Sequence, residues 1–357
     1  MKDCSIQQIG KYRNGKPKFW CKAHYSLAKS NSDNPPFQCE NYLLEAVKDS
    51  EKLYLDPQVW EGGVGLWGSL KPIYCTTSTP TEQEGIHVHA RSTMQGEKDI
   101  DGTFTEVYIK QPTINLFGDP KYIKLNSEIA KAYTASMVTG KEMTFIRCSH
   151  CDQPHIDSDI FAVTYHRKHL CTYCGKEFWD SVPGISNPIV EIKKIFEDWY
   201  ERQAIELVDR ELRISQNDFP GGIEIWGSNP AIIWTRGRKE EAGIHVHVYK
   251  HDGSGNRLFD DTYGTVVIDD LNLNVSQVRY LMVQNSMNHL IGKISAIKCP
   301  RCNCDHFDSH DLAIRPHSSH ICEFCKDNFE TKIECVSNPM VSVINQLLIN
   351  YDGLQKK

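Results

Sequence analysis

The sequence predicts an α+β protein built as a tandem duplication. Each half is a small β-rich unit with a helix and a CxxC…CxxC hairpin, and a Cys/His-rich N-terminal arm precedes both. Three observations carry this reading. First, Cys148, Cys151, His155, Asp157, Ala162, His166, His169, Cys171 and Cys174 match Cys299, Cys302, His306, Asp308, Ala313, His317, His320, Cys322 and Cys325 without a gap, every pair 151 positions apart. Second, a Gly-Ile-His-Val-His motif lies upstream of each hairpin, at Gly85–His89 and Gly243–His247. Third, Ser-Asn-Pro follows each hairpin, at Ser186–Pro188 and Ser337–Pro339. Self-similarity at a fixed period is the mark of a repeated structural unit.

Taken in order, the chain divides into an arm plus helix at 1–55, a first repeat at 56–207 and a second at 208–357. In the arm, Asn14-Gly15 between Tyr12 and Phe19 reads as a hairpin turn. Cys4, Cys21, His24 and Cys39 form a candidate Cys3His metal knuckle. Lys and Arg residues interleave there with Tyr12, Phe19, Trp20 and Tyr25, a pattern that can grip a nucleic-acid strand or simply face water. Residues 40–54 carry a partial apolar stripe and read as a helix. The repeats open with Gly62–Ser69 and Gly221–Ser228. In each HxH the β-branched residue favours a strand, which projects both imidazoles from one face and turns Ile86 and Val88 to the core. Asp101-x-Thr103 and Asp260-x-Thr262 lead into further strands. Helices are expected near Ser127–Val138 and Val278–Leu290. The Asn-Pro pairs start closing helices from Ile189 to about Leu207 and from Met340 to about Tyr351.

Bulk properties narrow the function. The 357 residues are 40% hydrophobic and 24% charged, a composition suited to a globular core. A net charge of −6 argues against a chain held to nucleic acid by overall charge. No apolar run is long enough for a bilayer, and no apolar leader stands at the start, so no membrane role and a cytoplasmic location are expected. The sequence sets no oligomeric state. Fourteen cysteines would suit a disulfide framework in a secreted chain, but eight of them sit in CxxC pairs, which favours metal.

Within each hairpin, 19 residues separate the two CxxC pairs, a spacing that suits one four-thiolate site built from two turns. The stretches 148–174 and 299–325 resemble zinc ribbons. The resemblance implies structural zinc on Cys148, Cys151, Cys171 and Cys174, and on Cys299, Cys302, Cys322 and Cys325. It implies no activity.

Each half carries more ligands than a ribbon needs. His87 and His89, or His245 and His247, are expected to meet His155 and Asp157, or His306 and Asp308, and to hold a second divalent metal. Asp101 or Asp260 would orient or complete that set. Such ligands build open catalytic sites, and the glycine before each HxH would let substrate approach. One function that follows is a metal-dependent hydrolase acting on a phosphate-bearing or nucleotide-like substrate. The alternative is a non-catalytic zinc-ribbon module that binds single-stranded or structured nucleic acid or a protein. Gly63–Gly68 spells GxGxxG, but Pro72 follows closely and no helix opens there, which counts against a dinucleotide site. Cys75 and Cys335 read as buried thiols.

Overall fold

The computed structural model describes residues 5–11, 17–21, 26–28, 52–56, 59–69, 72–76, 84–93, 97–110, 122–195, 209–219, 221–227, 232–234, 242–249, 257–269, 271–287, 290 and 293–346. The described chain is β-rich with few helices. No helix among the described residues is long and apolar enough to cross a membrane.

The arm forms an antiparallel sheet of β1 (Ile6–Lys11), β2 (Pro17–Cys21) and β3 (Ser26–Ala28). Lys11 lies opposite Pro17, so the chain reverses across the stretch that holds Asn14-Gly15. Cys4, His24, Cys39 and the side chain of Cys21 lie outside the described residues, and the expected Cys3His knuckle lies there with them.

The first half continues with β4 (Lys52–Leu55), β5 (Gly63–Ser69), β6 (Tyr74–Cys75), β7 (Gly85–Arg91), β8 (Ile100–Phe104), β9 (Glu106–Lys110), β10 (Tyr122–Asn126), α1 (Ser127–Thr139), β11 (His166–Leu170), β12 (Glu177–Gly184) and α2 (Ile189–Ile195). The second half follows with β13 (Glu211–Ile214), β14 (Ile223–Trp226), β15 (Ile233–Trp234), β16 (Ile244–Tyr249), β17 (Arg257–Tyr263), β18 (Thr265–Ile268), β19 (Leu271–Asn274), α3 (Val275–Ser286), β20 (Ile294–Ser295), β21 (His317–Ile321), β22 (Asn328–Ser337) and α4 (Met340–Gln346).

The helical reading of 40–54 gives way at its end, and the rest of it lies outside the described residues. Lys52–Leu55 is a strand, with Leu53 and Leu55 buried and Lys52 and Tyr54 exposed. That period of two is the signature of a half-buried strand. β4 runs parallel to β9, which pairs antiparallel with β10. In the second half β13, β18 and β19 repeat this arrangement.

α1 begins at Ser127, as expected, α3 at Val275, three residues ahead of the expected Val278, and the closing helices at Ile189 and Met340; their expected stretches beyond Ile195 and Gln346, to about Leu207 and Tyr351, lie outside the described residues. Asn126 and Asn274 accept hydrogen bonds from the Ile129 and Gln277 amides at the starts of α1 and α3. Asn187 and Asn338 do the same for Ile189 and Met340 in the Ser-Asn-Pro turns. Each cap satisfies an amide that a helix start leaves without an intrahelical partner.

The two HxH sheets exchange strands. β7 is flanked by β5 and β8, and β16 by β14 and β17. The fourth strand of each sheet comes from the other half: β15 pairs with β5, and β6 pairs with β14. Backbone bonds extend the exchange, from the Ile73 amide to the Ile225 carbonyl (2.8 Å) and from the Ile232 amide to the Leu66 carbonyl (2.7 Å). Ile232 and Ile233 thus join the first core, and Ile73 and Tyr74 join the second. A third cluster closes the joint, where Ala132 and Ala135 of α1 meet Val283 of α3 and Ala162, Val163 and Ile314 of the cysteine hairpins.

Candidate metal centres

Three kinds of ligand cluster recur in the two halves. The first is the cysteine set. Cys148 and Cys174 sulfurs lie 3.7 Å apart and Cys151 and Cys171 sulfurs 3.6 Å; the pairs Cys299–Cys325 and Cys302–Cys322 are at 3.6 and 3.5 Å. Ligands placed about 2.3 Å from a zinc at tetrahedron corners stand about 3.8 Å apart, whereas a disulfide brings sulfurs to about 2.0 Å. The cysteine geometry therefore fits zinc and not a disulfide. The knuckles turn through left-handed residues, with φ of 56° at Asp152 and 58° at Asn303. Burial would raise the Cys148 thiol, but the His150 and Cys151 amides outweigh it and bring it down to about 6. At Cys322 the Cys325 and Phe324 amides act against burial, with the same result of about 6. In the same clusters the Gln153 amide would lower Cys151, but burial and hydrogen bonds from the neighbouring cysteines outweigh it and push the thiol up to about 12; against the Cys304 and Asp327 amides, Cys302 and Cys325 are raised in the same way. The chain holds two four-cysteine clusters of zinc-ribbon type.

The second cluster lies on the face of each HxH strand. Pairing of β7 with β8 sets His87 opposite Thr103 and His89 opposite Asp101, so all four side chains share one face. Ile86 and Val88 are fully buried on the other. His87 Nε2 is 2.9 Å from His89 Nε2, and Asp101 Oδ1 is 3.3 Å from each. In the second half the separations among His245, His247 and Asp260 are 2.9, 3.3 and 3.5 Å. Ligands about 2.0 Å from a tetrahedral ion would stand about 3.3 Å apart. Thr103 and Thr262 hydroxyls hold the far nitrogens of His87 and His245 at 3.0 and 3.1 Å. Asp101 is about half exposed, with 47% of its side chain accessible, so the cluster has an open side.

Burial would raise Asp101, but hydrogen bonds from His87, His89 and Lys98 outweigh it and hold the carboxyl well below the usual range. For Asp260, bonds from His245 and His247 lead, and the carboxyl is held equally low. Burial lowers His245, and the charges of His247 and His87 add to that. Burial would also lower His247, but Asp260 and Glu224 outweigh it and raise the ring.

The third cluster lies inside each hairpin. His155 Nε2, His166 Nε2 and His169 Nδ1 approach one oxygen, Asp157 Oδ1, at 2.8, 3.0 and 3.3 Å. Around Asp308 Oδ1 the distances from His306, His317 and His320 are 2.8, 3.3 and 3.3 Å. Ser186 and Ser337 amides donate to the second oxygen of each carboxylate at 2.7 and 2.6 Å. Burial would raise Asp157, but the bonds from His155 and Ser186 outweigh it and keep it low; Asp308 follows the same pattern with His306 and Ser337.

The chain matches no protein-family model, no curated protein and no solved structure.

The geometry departs from one sequence expectation. His87 and His89 do not group with His155 and Asp157; each pair belongs to a separate cluster, one on the open sheet and one buried in the hairpin, and the second half repeats the division for His245, His247, His306 and Asp308. The glycine before each HxH also has a different use. A Cβ on Gly85 would meet the Phe104 carbonyl at 2.6 Å, and one on Gly243 the Tyr263 carbonyl at 2.6 Å. The missing side chains make room for the neighbouring strand, not for substrate. Cys75 and Cys335 are buried, as expected.

Sequence reasoning missed Lys98 and Arg257. They donate to the outer oxygens of Asp101 and Asp260 at 2.9 and 2.6 Å. A basic residue three positions before each repeated aspartate was the available signal. Glu224 was missed as well; it lies 3.6 Å from His247 Nδ1 and accepts the Tyr249 hydroxyl. Its counterpart is Gly65, so the motif comparison pointed away from it.

Proposed function

We propose that the chain is a tandem duplication of two interlocked units, 56–207 and 208–357, whose ribbons hold structural zinc and whose HxH strands carry metal-dependent hydrolysis of a phosphate-bearing or nucleotide-like substrate. The observation behind it is the His87/His89/Asp101 cluster and its twin at His245/His247/Asp260, three ligands each with an open side. Three protein ligands with an exchangeable position distinguish catalytic from structural sites. A divalent ion bound there would supply Lewis acidity, lowering the pKa of a water and polarising a carbonyl or phosphoryl oxygen. The chain's own part is orientation. Thr103 and Thr262 fix two of the rings, and Lys98 and Arg257 turn each carboxylate. The same two cations put positive charge at the rim, which suits an anionic substrate.

The test is hydrolysis of aryl phosphomonoesters, phosphodiesters and nucleotides by the zinc- and manganese-loaded protein, compared with Asp101→Asn/Asp260→Asn. Loss of a ligand from both sites should reduce turnover at least about 100-fold, the scale of metal-site defects. Activity that survives the double substitution refutes the proposal.

A second reading, a binding module, has one observation in its favour. Leu170, Tyr173 and Val182 are 59, 61 and 67% exposed, and their counterparts Ile321, Phe324 and Ile333 are 60, 72 and 70% exposed. Matching exposed apolar side chains on both ribbons suit a partner surface or stacking of unpaired bases. If no substrate turns over, binding of single-stranded oligonucleotides that Tyr173→Ser/Phe324→Ser abolishes would favour this reading.

A further inference from the structure

We infer that each half holds an additional, closed zinc site inside its cysteine hairpin, with His155, Asp157, His166 and His169 as ligands in the first and His306, Asp308, His317 and His320 in the second. This stands independently of any chemistry at the HxH strands.

The first argument is convergence. Three imidazole nitrogens and one carboxylate oxygen meet at 2.8, 3.0 and 3.3 Å in one half and at 2.8, 3.3 and 3.3 Å in the other. Nitrogen and oxygen ligands about 2.0 Å from a tetrahedral zinc stand about 3.3 Å apart. The ring centroids of His166 and His169 are 4.4 Å apart, as are those of His317 and His320. Such crowding about one oxygen exceeds what hydrogen bonding to its lone pairs requires.

The second argument concerns proton placement. His166 Nδ1 lies 2.9 Å from the Thr164 carbonyl, and His317 Nδ1 lies 2.8 Å from the Arg315 carbonyl. A carbonyl only accepts, so each Nδ1 carries its proton. In the neutral ring the Nε2 aimed at the carboxylate is then a bare lone pair facing another lone pair. A cation between them removes that conflict, and a backbone carbonyl holding the far nitrogen is the usual support of a ligating histidine.

The third argument is burial. His155, Asp157 and His169 are 2, 4 and 1% exposed, and His306, Asp308 and His320 are 3, 3 and 0% exposed. His317 Nε2, aimed at Asp308 Oδ1 from 3.3 Å, is buried with no hydrogen-bond partner among the described residues. Among the described residues, only histidines, which carry charge only when protonated, stand within 4 Å of either carboxylate as basic groups. A buried carboxylate needs compensating charge.

His155, Asp157 and His169 present ligand atoms within 4.8 Å of one another; drawn in as the fourth ligand, His166 would fill the tetrahedron and make the site structural. It ties the His-x-Asp loop and β11 to the Ser-Asn-Pro turn, where the Ser186 hydroxyl also bonds the His155 carbonyl and Asn187 bonds Ile129 of α1. The ion would thereby fix the ribbon on the body of its half.

The test uses the full chain with the open sites disabled by His87→Ala/His89→Ala/His245→Ala/His247→Ala and the candidate arm knuckle by Cys21→Ser/Cys39→Ser, counted by elemental mass spectrometry and by zinc X-ray absorption. Two ions at the cysteine clusters and two at the buried clusters are expected, with zinc–sulfur distances near 2.3 Å and zinc–nitrogen or –oxygen distances near 2.0 Å in equal proportion. Adding His166→Ala/His317→Ala, the most accessible ligands, should remove the two nitrogen/oxygen-bound ions and keep the sulfur-bound pair. Two sulfur-bound ions in the parent overturn the inference. Four ions in both proteins remove His166 and His317 from the ligand set and overturn the closed site. If the added substitutions prevent folding, the parent's count and its split between sulfur and nitrogen decide alone.

Discussion

Ile73→Ala tests the strand exchange directly. Ile73 belongs by sequence to the first half, yet it is 1% exposed inside the core of the second, and its amide bonds the Ile225 carbonyl. The substitution deletes three buried carbons. At about 0.8 kcal/mol for each buried methylene, transfer alone costs about 2.4 kcal/mol, and the residual cavity brings the total to about 3 kcal/mol. Urea denaturation measures the total. Native-state hydrogen exchange locates it, because the opening free energy falls where packing is lost. Protection should drop in β14 and β16, more than 100 residues away in sequence, while β5 and β7 hold. A loss confined to β5, β7 and β8, or a total below about 1 kcal/mol, would refute the interlocked arrangement.

Further outcomes follow from single side chains. Tyr74 is fully buried, and its hydroxyl has no hydrogen-bond partner among the described residues. Tyr74→Phe should therefore raise stability by about 1 kcal/mol in chemical denaturation, since an unsatisfied buried hydroxyl is unfavourable. Gly85→Ala and Gly243→Ala should each destabilise by about 2–3 kcal/mol, because the atom they would strike is a strand carbonyl that cannot swing aside; an unchanged melting temperature would contradict this. Burial lowers the Lys193 ammonium to about 8. An unfolded lysine titrates at about 10.4, so the unfolded state binds more protons between those values and stability rises with pH through that window. Lys193→Met should add about 1–2 kcal/mol at pH 7, less than the full shift implies because the side chain is only partly buried. The gain should fade by about pH 10.5, as denaturation across that range would report.

The legible parts of this chain were those whose chemistry is local. CxxC turns need only their own few residues, and the HxH strand announces itself by alternation, with Ile86 and Val88 inward and the imidazoles outward. The Asn caps before Ile189 and Met340 are equally local. What escaped depended on register or on distant contacts. Asp101 offered itself to the HxH set through its repeated Asp-x-Thr motif, whereas Lys98 reaches that set only through the pairing of β8 with β7. His155 and Asp157 offered suitable atoms for the HxH histidines, and nothing in their spacing shows that β11 brings His166 and His169 to them instead. Lys52–Leu55 is too short for periodicity to separate a strand from the end of a helix. β6 and β15 are two residues each, below any pattern that sequence can reveal.

The exchange has a consequence for the open clusters. β5, which backs His87 and His89, pairs with β15, and only six residues separate β15 from Trp226, which lies opposite His245. A linker of that length spans at most about 25 Å when fully extended. The two sheets cannot drift apart without breaking strand pairing on both sides. Their ligand clusters are close enough that the charge of His87 contributes to lowering His245. A cation bound in one cluster would therefore be felt electrostatically at the other. The halves also differ where the motifs do not: Glu224 stands behind His247, whereas Gly65 holds the matching place behind His89. A carboxylate behind a ligating imidazole raises its basicity. Glu224 should therefore tighten the hold of the second cluster on an ion.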